Sequence, residues 1–212
     1  MNAVGSPASR TALAVACSFA FAGAAFSAEA LKNASFEEPG GDGQLYISDR
    51  AFSWERWGAW FNREMTWAPV REGQCLMAYH HWQIQGEDTS GVYQDIPDVP
   101  AKQARTFRVH ATRDKGTNAE FIELRIEPLS GGQPLASRLY RMNDIKAGKW
   151  TELSVTGQSP TKGMRVLVVV KPGRSSNRKG AVKFDAAALR EASVQEIAAM
   201  DAPANGLSRR KR

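Results

Sequence analysis

The sequence predicts an all-β fold, an antiparallel β-sandwich of the jelly-roll type, closed by a short C-terminal helix and a basic tail. Three observations carry this prediction. Apolar and polar residues alternate with a period of two over several short stretches. Those stretches are bounded by turn-forming residues, as in PDVPAKQ, RDKGTN, LSGGQP, KAGK and SPTKG. Helical spacing of apolar residues is nearly absent until Glu191. One-sided strands in this number are buried most economically between two packed sheets.

Residues 1–28 are read apart from the fold. A single charge, Arg10, precedes an apolar run from Thr11 to Phe26, and small residues around Ala28 suit cleavage. This is the pattern of a secretory signal peptide, too short to span a bilayer comfortably. A lipid-modified Cys17 fits poorly, because Ser18-Phe19-Ala20-Phe21 continues the apolar run. The expected location is therefore the periplasm or the exterior, with no transmembrane segment left after cleavage. Of the two cysteines only Cys75 then remains, which excludes an intrachain disulfide. Stability must come from a core, and about 184 residues suffice for one domain.

That domain is placed at residues 31–190. A first strand is expected at Lys32 to Phe36, followed by strands at Arg63 to Ala68, Gln74 to His80 and Gly91 to Ile96. In TFRVHATRD, Phe107, Val109 and Ala111 point inward, while Arg108, His110 and Thr112 point out. FIELRIEPL follows the same rule with Ile122, Leu124 and Ile126 inside. Further strands are expected at Leu135 to Met142, Trp150 to Thr156 and Ala181 to Leu189. MRVLVVVKP is apolar on both faces from Val166 to Val170, which marks a central strand covered on each side. From residue 191, Val194, Ile197 and Met200 stand at helical spacing before the polar DAPANGLSRRKR, so 191–212 reads as a marginal helix and a disordered tail.

The formal charge of +6 is not a nucleic-acid signature. Arg209, Arg210, Lys211 and Arg212 supply four of those charges, and Lys171, Arg174, Arg178 and Lys179 fall in a loop. Neither cluster is interleaved with aromatics as a strand-binding groove requires. The tail could instead meet an anionic envelope partner.

Several stretches, in order, resemble the CenC-like carbohydrate-binding modules. They are LKNASFEEPGG, Trp57-Gly58, EGQCLMAY, SGVYQDIPDVPAKQARTFRVHA, GKWTELSVTGQSPTKGMRVLVVV and GAVKFDAAAL, spanning Leu31 to Leu189. The resemblance implies a jelly roll of the galactose-binding-domain-like superfamily that binds poly- or oligosaccharides without cutting them, often with a structural calcium. It assigns the metal to Glu37 and Asp185. The second Asp of the family's closing motif is Ala186 here, and calcium takes six to eight oxygen ligands. Ordinary strand-end acids are the alternative. The resemblance also places Trp150 in the core and puts Gln94 where an amide could meet sugar hydroxyls; otherwise Gln94 is a buried amide bonded to a neighbouring strand.

Sugar recognition needs aromatic surface for C–H faces and fixed donors for hydroxyls. Five of the six tryptophans lie between residues 54 and 82. Trp57 is expected in the core and Trp54 is undecided. Trp60, Trp67 and Trp82 stand in polar surroundings, with His81, Tyr93 and Arg141 as further candidates. Enzymatic readings find less support. No carboxylate pair can be assigned for a glycosidase, no Gly-x-Ser-x-Gly elbow presents a nucleophile, and adjacent His80 and His81 point to opposite strand faces, which disfavours zinc with Cys75. The sequence thus predicts an exported glycan-binding domain; an envelope adaptor of the same fold and a small polysaccharide-degrading enzyme are the alternatives.

Overall fold

A computed structural model describes residues 31–41, 50–58, 61–65, 70–80, 89–173 and 180–201. Among them, ten strands form two five-stranded antiparallel sheets. The strands are β1 (Glu55–Trp57), β2 (Phe61–Met65), β3 (Cys75–His80), β4 (Ser90–Ile96), β5 (Ala104–Arg113), β6 (Ala119–Glu127), β7 (Ala136–Arg141), β8 (Thr151–Gln158), β9 (Met164–Pro172) and β10 (Ala181–Glu191). The first sheet has the order β1-β4-β9-β6-β7 and the second β2-β3-β10-β5-β8. Sequence-adjacent strands often lie in different sheets, so the chain crosses repeatedly between layers, and the sandwich expected from the alternation is the one observed.

The alternating residues fill the space between the sheets. Phe107, Val109 and Ala111 meet Ile122, Leu124, Ile126, Val166, Val168 and Val170 there, all fully buried. Strand β9 is the centre of its sheet, paired with β4 and β6; Val166, Val168 and Val170 fill the core, and Leu167 and Val169 are buried on the opposite face. Side chains join the layers where backbone cannot. The Tyr140 hydroxyl donates to Ser154 O and accepts from Ser154 N, tying edge strand β7 to edge strand β8. Arg63 reaches the carbonyls of Phe36 and Glu37 at 3.0 and 2.8 Å.

Two elements differ from the sequence reading. Lys32 to Phe36 is a turn, not a strand: Asn33 and Phe36 have φ of 49° and 59°, and the Asn33 side chain holds Glu38 N and O. Asparagine tolerates this left-handed backbone because its amide bonds locally. Strand β1 has no counterpart in the reading, since three residues are too few to display a period. The helix is present as α1 (Val194–Asp201), opened by a capping box in which Ser193 Oγ accepts from Glu196 N and Glu196 accepts from Ser193 N. Arg190 also clamps Glu196 with two bonds, holding its carboxyl down at about 2.

Candidate functional site

Among the described residues, the outer face of the first sheet carries three partly exposed aromatic residues, Trp57, Tyr93 and Phe121. Strand alternation turns Gly91, Tyr93 and Asp95 of β4 away from the core, while Val92 and Ile96 face inward. Register sets Trp57 opposite Gly91 and Glu55 opposite Tyr93. Because Gly91 has no side chain, the Trp57 ring crosses the space a Cβ would take, which lies 2.1 Å from its Cη2. The indole stays half-buried, 6.1 Å from the Tyr93 ring at an interplanar angle of 47°. On Tyr93 itself, the Arg165 guanidinium sits 4.3 Å from the ring centre, a cation–π contact.

Charges on this face are matched in place. Asp95 binds Arg165 through both oxygens at 2.6 and 2.9 Å. Across β6, Arg125 bonds Glu123 at 2.7 Å and lies 3.7 Å from Glu127. These carboxylates hold both guanidiniums above the usual arginine range. Leu167 and Val169 form a buried floor between the charged rows. The result is an aromatic and hydrogen-bonding surface with little uncompensated charge, suited to a polar ligand with apolar ring faces.

The predicted residues separate on this frame. Tyr93 lies on the face, and exposed Arg141 on β7 shares it at the far edge, opposite Phe121. Gln94 follows the buried-amide alternative: it is 4% exposed, accepting from Lys32 N at 2.8 Å and donating to Lys32 O at 2.9 Å. Trp60, Trp67, His81 and Trp82 lie outside the described residues. Trp57 corrects the sequence reading, for it rests on the outer face rather than in the core. Trp54 takes the core place instead, fully buried against Phe36 with its indole N–H on Asn33 O. Trp150 packs on a satellite cluster of Leu76, Ala78 and Ala181.

Beside Tyr93 the face runs into a notch. Strand β1 covers β4 only as far as Tyr93, so among the described residues the edge from Gln94 onward has no strand neighbour on that side. The opening has a volume of about 580 Å³, with Lys32, Ser53 and Glu55 on one wall, the Pro97–Val99 turn on another and Arg105 of the second sheet at the seam. Nothing in the sequence singled out Arg105, because only the crossing of chains between sheets brings it to β4.

Glu37 and Asp185 converge on the segment 70–75. Glu37 Oε1 accepts from Gln74 N and Cys75 N, and Asp185 Oδ2 accepts from Arg71 N and Glu72 N. Asp185 is fully buried, and burial pushes its pKa up to about 6 against the opposing pull of these amides and of Ala186 N. A buried carboxylate with no ion pair among the described residues, holding the same segment as a second carboxylate, fits a cation in charge. The pair supplies two side chains; among the described residues no group of three or more His, Cys, Asp and Glu could hold a metal, so further oxygen ligands would be carbonyls, hydroxyls or water. Elsewhere, His80 bonds Glu64 on the second sheet.

Neither a protein-family model nor a curated protein matches the sequence. Solved structures do. The carbohydrate-binding module TmCBM61, in complex with β-1,4-galactotriose, superposes with a TM-score of 0.54 at 14% identity, covering 78% of this chain and 100% of that one. The chain has the fold of a carbohydrate-binding module. The Stig cyclase Fisc from Fischerella sp. TAU, in complex with an indole compound, also matches with a TM-score of 0.54 at 18% identity, over 77% of this chain and 97% of that one. The arabinose-bound α-L-arabinofuranosidase MgGH51 matches with 0.56 at 12% identity, over 81% of this chain but 27% of the enzyme. At such identities the likeness is one of fold, and function must be argued from the site.

Proposed function

We propose that the protein is an exported, non-catalytic carbohydrate-binding domain, holding a poly- or oligosaccharide on the outer face of its first sheet. The observation that carries this reading is Trp57 laid across Gly91 beside Tyr93, on a scaffold shared with a glycan-binding module. A pyranose offers a C–H face to the indole, and its hydroxyls meet the matched carboxylates and guanidiniums alongside. Trp60, Trp67, His81 and Trp82 are further candidate contacts for the glycan, and Arg141 is a donor at the far edge of the face. Gln94 serves by fixing the chain at Lys32, which positions the wall next to Tyr93. Export follows from the N-terminal signal, and the basic tail supplies an attachment to an anionic envelope partner.

A structural calcium completes the proposal, held by Glu37 and Asp185 with carbonyls, hydroxyls or water. Its part is to neutralise two carboxylates and rigidify segment 70–75, and a rise in melting temperature on adding calcium, reversed by chelator, tests it. Binding is tested by affinity electrophoresis through gels carrying galactan, arabinan, xylan, mixed-linkage β-glucan or pectin. Retardation by at least one polymer, lost in Trp57→Ala while the melting transition stays cooperative, is the expected result. Folded protein retarded by none of them overturns the reading, and release of reducing ends would move it to an enzyme.

A further inference from the structure

The notch beside Tyr93 has a chemistry distinct from the outer face. Its three acids are each matched by a cation: Asp95 by Arg165, Glu55 by Arg50 and Asp98 by Lys162. Its two cations are not matched in the same way. Among the described residues, the Lys32 ammonium makes no ion pair. Arg105 is 7% exposed, yet its guanidinium has a close acceptor only in Gln103 Oε1 at 2.7 Å, with Glu191 Oε1 at 3.7 Å and no partner for the buried Nε–H. A guanidinium so far removed from water is stabilised by any anion that reaches it.

We propose that this notch is a binding site for an acidic sugar residue, a hexuronate. The ligand class follows from the two kinds of group on its walls. Lys32 and Arg105 call for one carboxylate, whereas Ser53 and the remaining lone pairs of the paired Glu55, Asp95 and Asp98 offer acceptors to neutral donors such as hydroxyls. A molecule carrying one carboxylate and several hydroxyls on a ring satisfies both. The volume of about 580 Å³ falls in the range of small-molecule sites. The site goes beyond the glycan reading: it adjoins that face and shares Tyr93 and Asp95 with it, but Trp57 is not among the residues lining it.

The test is ¹⁵N-edited NMR of the arginine Nε–H groups in the whole protein, titrated with sodium galacturonate and sodium glucuronate against galactose, glucose and sodium acetate. A saturable shift of the Arg105 signal with a uronate, at least tenfold weaker with acetate and absent with the neutral hexoses, is expected. Lys32→Gln, an exposed position that leaves the fold intact, should weaken uronate binding about tenfold, and Arg105→Lys should abolish it. Trp57→Ala should leave it unchanged, so failure on the polysaccharide gels and failure here are separate results. No uronate shift, or an equal response to acetate, overturns the proposal.

Discussion

Replacing Gly91 with alanine tests whether the Trp57 indole rests on the sheet. The new methyl would stand 2.1 Å from Cη2 and 2.6 Å from both Cζ2 and Cζ3. Carbon atoms in contact lie about 3.5–4.0 Å apart, so the ring must retreat by roughly 1.5 Å. It has room to do so, because β1 spans three residues at the sheet edge and the indole is half-buried. The expected cost is about 1–2 kcal/mol, the lower part of the overpacking range, since a yielding ring stores less strain than a closed core. Urea denaturation of Gly91→Ala, Trp57→Ala and the double variant measures it. With Trp57 already removed, the alanine at position 91 should cost less than about 0.5 kcal/mol, because the methyl then meets no indole. Equal costs in both backgrounds would refute the stacked geometry, and with it the platform on which glycan binding is argued.

Asp185 predicts a stability profile that falls with pH in calcium-free buffer. Its folded pKa of about 6 exceeds the ordinary 3.8, so the folded state binds more protons between those values and loses stability as pH rises through them. At about 1.4 kcal/mol per pH unit the full loss is about 3 kcal/mol, of which about 2 kcal/mol falls between pH 4.5 and 7.5, and denaturation of Asp185→Asn at those two pH values should lack this component. Gln94→Leu strands Lys32 N and O without their amide partner and should cost about 1–3 kcal/mol in the same assay. Tyr140→Phe removes the hydroxyl bonds to both backbone groups of Ser154, with an expected loss of about 1–2 kcal/mol and faster hydrogen exchange along β7.

The legibility of this chain follows the length of its elements. Strands β5 and β6 run for ten and nine residues, enough for a period of two to set which side chains face the core, and Phe107 and Ile122 fall where alternation puts them. Strand β1 spans three residues and carries no such phase, so the sequence points Trp57 to the interior, whereas its position depends on pairing with Gly91. The turn at Lys32 to Phe36 mimicked a strand because LKNASFEE mixes apolar and polar residues as a strand does. Gln94 had two readings in sequence, and the backbone of Lys32 decided between them.

By itself the sequence determined the layered all-β architecture, because side-chain alternation is a local property that hydrophobic burial converts directly into two faces of a sheet. It also determined the helix that follows the domain, through the helical spacing of Val194, Ile197 and Met200. Only the tertiary structure decided which aromatic rings stay at the surface and which groups share a cavity. Trp57 with Gly91, and Lys32 with Arg105, meet through strand register and the crossing of chain between sheets. Contacts of that kind depend on the whole topology, and no short window of residues contains them.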